Sequence, residues 1–318
     1  MTELPVVIGT RAAARASTKV AVAFYTLGIL GAEACVAFVS IVPGLVAHAL
    51  LALAILNHYL LARHDAEGAI VRCLRCHTTF DMPVDGEAAK TRFGCPNCGF
   101  LDSTVLEPNP SGVARSVSPR QLDVLLVLPL IPLLRILSLT MAVEEVPEIY
   151  RYAIVGAPLL LTSVLLSRLT GLVSIVRSLS WRAVGLQGLV ALTGIPLSLL
   201  AFLIVRPDPL VDGWNWGPLL AGSAILFVFT GVTEELIFRG LLQNALVGIL
   251  GRAALVWGSL LFVAAYLGAL PAGYVVFVAA FGLAFAWLVD RTRSLLGVAI
   301  AHGLLNIGML LVWPLALG

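Results

Sequence analysis

The sequence predicts an all-α polytopic membrane protein of about nine transmembrane helices, with a small cytoplasmic insert of β-knuckle type. Two observations predict the membrane part. The 318-residue chain is 59% hydrophobic and only 12% charged, where a soluble domain carries about 25% charged residues, and its mean hydropathy is +0.99. Its apolar residues also gather into stretches of the ~20 residues needed to cross a bilayer. A third observation predicts the insert: four of the five cysteines crowd into one polar segment, residues 73–98. The net charge of +2 comes without a basic run, so no nucleic-acid partner is expected.

Taken in order, the predicted spans are 18–40, 43–62, 121–142, 152–168, 184–205, 217–247, 253–270, 273–290 and 295–315. The sixth is too long for a plain span and is expected to reach the interface or bend. The N-terminus (MTELPVVIGTRAAARASTK) lacks the short apolar core and cleavage site of a secretory signal. Basic residues alternate between loops. Arg11, Arg15 and Lys19 precede span one, Arg63, Arg72, Arg75, Lys90 and Arg92 follow span two, and Arg168, Arg177 and Arg182 follow span four. Arg252 follows span six, and Arg291 and Arg293 follow span eight. The opposite loops hold Glu144, Glu145, Glu148, Asp208 and Asp212, with Arg151 and Arg206 as exceptions. The positive-inside rule then places the N-terminus and the insert in the cytoplasm and the C-terminus outside. This orientation takes 169–182 as an amphipathic cytoplasmic connector. Lys occurs only at 19 and 90, every other basic residue being Arg; this usage points to a GC-rich prokaryotic genome and so to a plasma membrane.

Glu33 in span one and Arg135 in span three are each costly alone in a bilayer, and a buried pair between helices is expected of them. Cys35 reads as a small packing residue.

The insert reads CLRCHTTFDMPVDGEAAKTRFGCPNCGF. Cys73 and Cys76 form one CxxC and Cys95 and Cys98 a second, separated by eighteen residues. Two such knuckles bring four thiolates to one tetrahedral ion, the closed geometry of a structural zinc site. A reducing cytoplasm also favours metal over disulfides. His77 is then a bystander, and zinc supplies the folding energy that so short a segment lacks. The segment resembles the small zinc ribbons attached to many prokaryotic membrane proteins. Such a ribbon serves either to bind a protein partner or to brace the membrane domain, and the sequence leaves both open.

Span six contains TGVTEELIFRGLLQNAL, with Glu234, Glu235 and Arg239 inside an apolar run. Each ionisable group there costs about 2.5–3.5 kcal/mol on insertion scales, so a partner or a task is expected for it. Glu235 and Arg239 are i,i+4 neighbours and can pair. Glu234 is rotated about 100° away and is left for other work. A paired rung beside an unpaired carboxylate suits a buried general base with a positioning clamp; it equally suits groups that only tie helices together. Span nine carries AHGLLNIG, with His302 and Asn306 one turn apart, and span seven carries Phe262 and Tyr266 at the same spacing.

In this order the residues resemble the CPBP family of intramembrane proteases, which includes the type II CAAX prenyl endopeptidases and bacteriocin-immunity proteins. That family shows EExxxR on one helix, FxxxH on the next and HxxxN or HxxxD on a later one. The matches are Glu234 to Arg239, Phe262 to Tyr266, and His302 to Asn306, and the resemblance covers about 184–315. It implies that Glu234 activates a water for attack on a peptide carbonyl. His302 and Asn306 would then stabilise the oxyanion, with Glu235 and Arg239 holding the constellation. One cavity near the cytoplasmic side is expected to gather these residues. One carboxylate and one histidine make a poor zinc site, so no cofactor is expected there. The family's first histidine is Tyr266 here. A phenol cannot take a proton at neutral pH, though it can hydrogen-bond a water or an oxyanion.

The resulting layout is a two-helix hairpin (1–66), the zinc ribbon (67–104), a linker (105–120), connecting helices (121–183) and a protease-like core (184–318). Two functions compete. One is an intramembrane endopeptidase acting on a membrane-embedded peptide or protein; the other is a silent relative that binds membrane peptides or serves as an immunity or scaffold protein. A transporter using Glu234 as a proton relay would bring repeated halves with broken helices, and the sequence shows no internal repeat.

Overall fold

In a computed structural model the chain is described over residues 8–66, 69–73, 79–82, 103–107, 119–141, 146–173, 181–267 and 271–318. Long apolar helices dominate. The first two, α1 (Ile8–Phe38) and α2 (Ile41–Ala66), form a hairpin. Next come α3 (Pro119–Val127) and α4 (Leu130–Thr140), divided at Pro129, whose ring cannot donate to the helix ladder. Then follow α5 (Glu148–Thr170), α6 (Trp181–Leu192) and α7 (Gly194–Val205). The sixth predicted span is one run, Trp216–Leu250, that changes helical register rather than ending. It is built of α8 (Trp216–Leu226), a π-helical stretch (Phe227–Val232), α9 (Thr233–Glu235), a second π-helical stretch (Leu236–Leu242) and α10 (Gln243–Leu250). The chain closes with α11 (Ala253–Ala264), α12 (Ala272–Thr292), α13 (Leu296–Ile307), a π-helical stretch at Gly308–Val312 and α14 (Trp313–Leu317).

Among the described residues, eight helical stretches are long and apolar enough to cross a membrane, which makes this an all-α polytopic membrane protein. The predicted span 253–270 is the exception. Its helix has 12 residues, about 18 Å at 1.5 Å per residue, against a hydrocarbon core of about 30 Å. Beyond Ala264 the chain tightens, with the amides of Tyr266 and Leu267 donating to the carbonyl oxygens three residues back. Leu and Val side chains such as Val20, Leu50, Leu161, Leu189 and Leu220 face outward, as lipid-facing positions require.

Between α2 and α3 lies a three-stranded antiparallel sheet in the order β2-β1-β3, formed by β1 (Ala69–Cys73), β2 (Thr79–Met82) and β3 (Ser103–Glu107). Cys73 ends β1. Cys76, Cys95 and Cys98 lie outside the described residues, as do Glu144 and Glu145 and the stretch 174–180 of the expected connector.

Charges hold the N-terminal hairpin to α4. Arg135 donates from Nε to Glu33 Oε2 at 2.9 Å, and Glu33 is fully buried. His48, buried on α2, brings Nε2 to 3.4 Å from Glu33 Oε1. The expected pair is present, and His48 is an addition that sequence reasoning passed over.

Small residues let helices approach in the second half. A Cβ on Gly231 would lie 2.6 Å from the backbone nitrogen of Gly303, and one on Gly194 would lie 2.3 Å from the carbonyl oxygen of Ala301. Close packing through small residues is the usual way membrane helices associate, since lipid gives them no hydrophobic incentive. As a result α13 is wedged against α7 and the π-helical stretch 227–232, where it meets the carboxylates.

Candidate active site

Thr233–Glu235 is a single α-helical turn between two π-helical stretches. π-helical turns are rare and concentrate at functional sites, because the extra residue per turn redirects side chains. Here the turn sends Glu234 and Glu235 to different surroundings. Glu235 is fully buried, and the Glu234 side chain keeps 20% of its surface exposed.

Glu235 organises the interior. Its Oε1 accepts from Arg239 Nη1 at 3.0 Å and from His302 Nδ1 at 2.8 Å. Its Oε2 is buried without a hydrogen-bond partner among the described residues. Arg239 is itself clamped, since Nη2 donates to the Gly282 carbonyl oxygen at 3.1 Å and the guanidinium lies 4.2 Å from the centroid of the Phe262 ring. The packing allows this because Gly282 has no side chain: a Cβ there would sit 3.1 Å from Phe262 and 3.4 Å from Arg239 Nη2. One helical turn on, Gln243 Nε2 donates to the Ala286 carbonyl oxygen at 3.0 Å, a second tie to α12.

An ionised Glu235 can only accept, so the proton of His302 lies on Nδ1 and a neutral ring leaves Nε2 as an acceptor. That nitrogen is 3.9 Å from Glu234 Oε2, a separation that one water can bridge. The same Glu234 oxygen accepts from the Tyr266 hydroxyl at 2.9 Å. Phe262 packs edge-on against Tyr266, Phe281 and His302, with ring centroids 5.4, 5.6 and 6.1 Å away, and fixes the ring planes.

Asn306 stands one turn further along α13. Its Nδ2 donates to Thr230 Oγ1 at 2.8 Å, and Thr230 Oγ1 donates in turn to the Leu226 carbonyl oxygen. The structure therefore brings Glu234, Glu235, Arg239, Tyr266 and His302 into one connected cluster, with Asn306 beside it on a separate hydrogen-bond chain.

A cavity of about 300 Å³ reaches Glu234. Its walls come from α4 (Leu134, Ser138), α5 (Tyr152, Val155) and the π-helical stretch (Phe229, Thr230), and Glu148 and Arg151 stand with Met141 at its mouth. The walls are drawn largely from helices that precede the expected 184–318 core. The mouth lies where α4 ends and α5 begins. Ile149 packs there with Val211, Leu226 and Leu311, so the mouth shares one end of the bundle with the 206–215 loop, the end that charge counting places outside. Tyr152 went unnoticed in the sequence, because a tyrosine near a helix end reads as an interfacial anchor.

The donors left close together at the inner end of the cavity are the Glu234 carboxylate and, 3.9 Å from it, His302 Nε2. That falls short of the three protein ligands a catalytic zinc takes. What the set can do is hold a water between two acceptors while a phenol steadies the carboxylate.

Searches among curated proteins and solved structures give no match. Residues 215–308, which contain Glu234, Glu235, Arg239, Tyr266, His302 and Asn306, match the family model described as type II CAAX prenyl endopeptidase Rce1-like, and this stretch is similar to that family of membrane endopeptidases.

Proposed function

We propose that the protein hydrolyses a peptide bond of a membrane-embedded peptide or protein, with Glu234 as general base. The observation that carries this reading is the asymmetry of the two carboxylates. Glu235 is locked in an ion pair and Glu234 faces a cavity. Glu234 takes a proton from the bridging water as the water oxygen attacks the carbonyl carbon, and later returns it to the leaving nitrogen. His302 shares the water through Nε2. The resemblance assigns His302 to the oxyanion; its bond to Glu235 supports the water-holding role instead. Asn306 acts by orienting Thr230 on the cavity wall. The reaction runs on these residues without a metal.

The test compares new protein termini in membrane fractions of cells making the natural protein or Glu234→Gln at matched level. Termini that appear only with the natural protein are expected, and their flanking sequences name the substrate. Identical termini would reject the proposal and favour a silent relative that binds membrane peptides, the reading that Tyr266 in the histidine position supports.

We also propose, on the spacing of the two CxxC knuckles, that Cys73, Cys76, Cys95 and Cys98 hold one structural zinc ion. Elemental analysis should find one zinc per chain in the natural protein and none after Cys95→Ser and Cys98→Ser together.

A further inference from the structure

Attack on a carbonyl moves the C=O electron pair onto oxygen, and that oxygen needs a donor already in place. The donors near Glu234 are largely committed. His302 gives its Nδ1 proton to Glu235 and Tyr266 gives its hydroxyl proton to Glu234. Asn306 donates to Thr230 and does not line the cavity. Among the cavity-lining hydroxyls, Ser138 donates to the Arg135 carbonyl oxygen, Thr230 to that of Leu226 and Thr233 to that of Val228. Arg151 keeps Nε on the Val146 carbonyl oxygen at the mouth.

The remaining cavity hydroxyl is that of Tyr152, which forms no hydrogen bond among the described residues. Tyr152 lines the same cavity as Glu148 at the mouth and Glu234 at the inner end, and its phenol feels the charge of both. The ring is held on α5, where Gly156, one turn on, packs directly against Phe229 and allows no side chain in between. A phenol on a rigid helix, facing an apolar cavity with its proton uncommitted, is a preorganised donor.

We propose that Tyr152 is a catalytic residue that donates its O–H to the carbonyl oxygen as that oxygen becomes negative. The inference rests on the endopeptidase reading above. The water oxygen bonds to the carbonyl carbon, its proton passes to Glu234, and the displaced C=O pair on oxygen is stabilised by Tyr152. On collapse the C=O bond re-forms, the C–N bond breaks, and the nitrogen leaves with the proton from Glu234. Tyr152 keeps its own proton throughout.

Tyr152→Phe removes the hydroxyl and keeps the ring. The rate at which Glu234-dependent termini appear in the membrane fraction is expected to fall about 10²–10³-fold, with the thermal midpoint of the purified protein unchanged. If Glu234→Gln abolishes the termini while Tyr152→Phe stays within about twofold of the natural rate, this inference fails and the endopeptidase reading stands. If Glu234→Gln changes nothing, both fail. Should the phenylalanine variant lose its thermal midpoint, 3,5-difluorotyrosine at position 152, a near-isosteric and stronger donor, carries the test. A faster rate supports the assignment, and an unchanged rate overturns it.

Discussion

Tyr266 carries the main chemical question at the scale of single residues. Its hydroxyl holds Glu234 Oε2 at 2.9 Å, a bond to a charged group worth about 1.5–3 kcal/mol. It cannot relay a proton at neutral pH. Tyr266→His would put an exchangeable group beside the water, and general acid–base partners contribute about 10²–10⁴-fold. The rate of terminus formation should therefore rise by at least about tenfold. A fall would mean that the phenol's grip on Glu234 outweighs proton transfer. The Glu235–Arg239 pair was legible from i,i+4 spacing alone, and the Glu33–Arg135 pair from the cost of two lone charges. Contacts such as Tyr266 to Glu234 or His302 to Glu235 join distant helices, and only the resemblance to a family suggested them. His48 and Tyr152 carried no signal, because a histidine or tyrosine in an apolar run has several ordinary uses.

Hydropathy places spans well at the scale of elements, since it counts the residues that must leave water, and eight stretches of the described chain fall where apolar runs predicted them. It cannot see hydrogen-bond register, so the π-helical stretches on either side of Thr233–Glu235 were invisible. It also cannot see where an apolar run stops being helical, and so overstated the seventh span. Between elements, the site depends on how closely α13 approaches the π-helical stretch 227–232. Gly231→Ala would place a Cβ 2.6 Å from the Gly303 nitrogen. Backbone cannot yield as a side chain does, so α13 would be pushed away and the 2.8 Å His302–Glu235 bond broken. We expect a lower thermal midpoint and loss of Glu234-dependent termini. Gly185→Ala on α6, whose Cβ would meet open space, should leave both intact, because alanine suits a helix better than glycine. Equal behaviour of the two variants would show that the close approach is not what holds the site.

Across the whole molecule, what matters is the side of the membrane from which a substrate arrives. Basic residues collect on alternate loops, while Asp208, Asp212 and Glu148 mark the opposite end. The cavity mouth stands at that acidic end, beside Glu148 and Arg151, which on the positive-inside rule faces away from the cytoplasm. The inner end at Glu234 is near the middle of its helix, 18 residues from Trp216 and 16 from Leu250, or about 24–27 Å from either end. A substrate would then enter from the outer leaflet or the outer aqueous side, and the insert between α2 and α3 would lie across the membrane from it. Cysteines introduced as Glu148→Cys and Arg252→Cys test this. A membrane-impermeant maleimide added to intact cells should label position 148 directly and position 252 only after permeabilisation, with the natural protein as the background for its own cysteines. The reverse pattern would turn the whole molecule over, so that the mouth faces the cytoplasm and substrates made there reach Glu234 without export, whereas the same labelling at both positions would make the expected connector 169–182 a crossing segment.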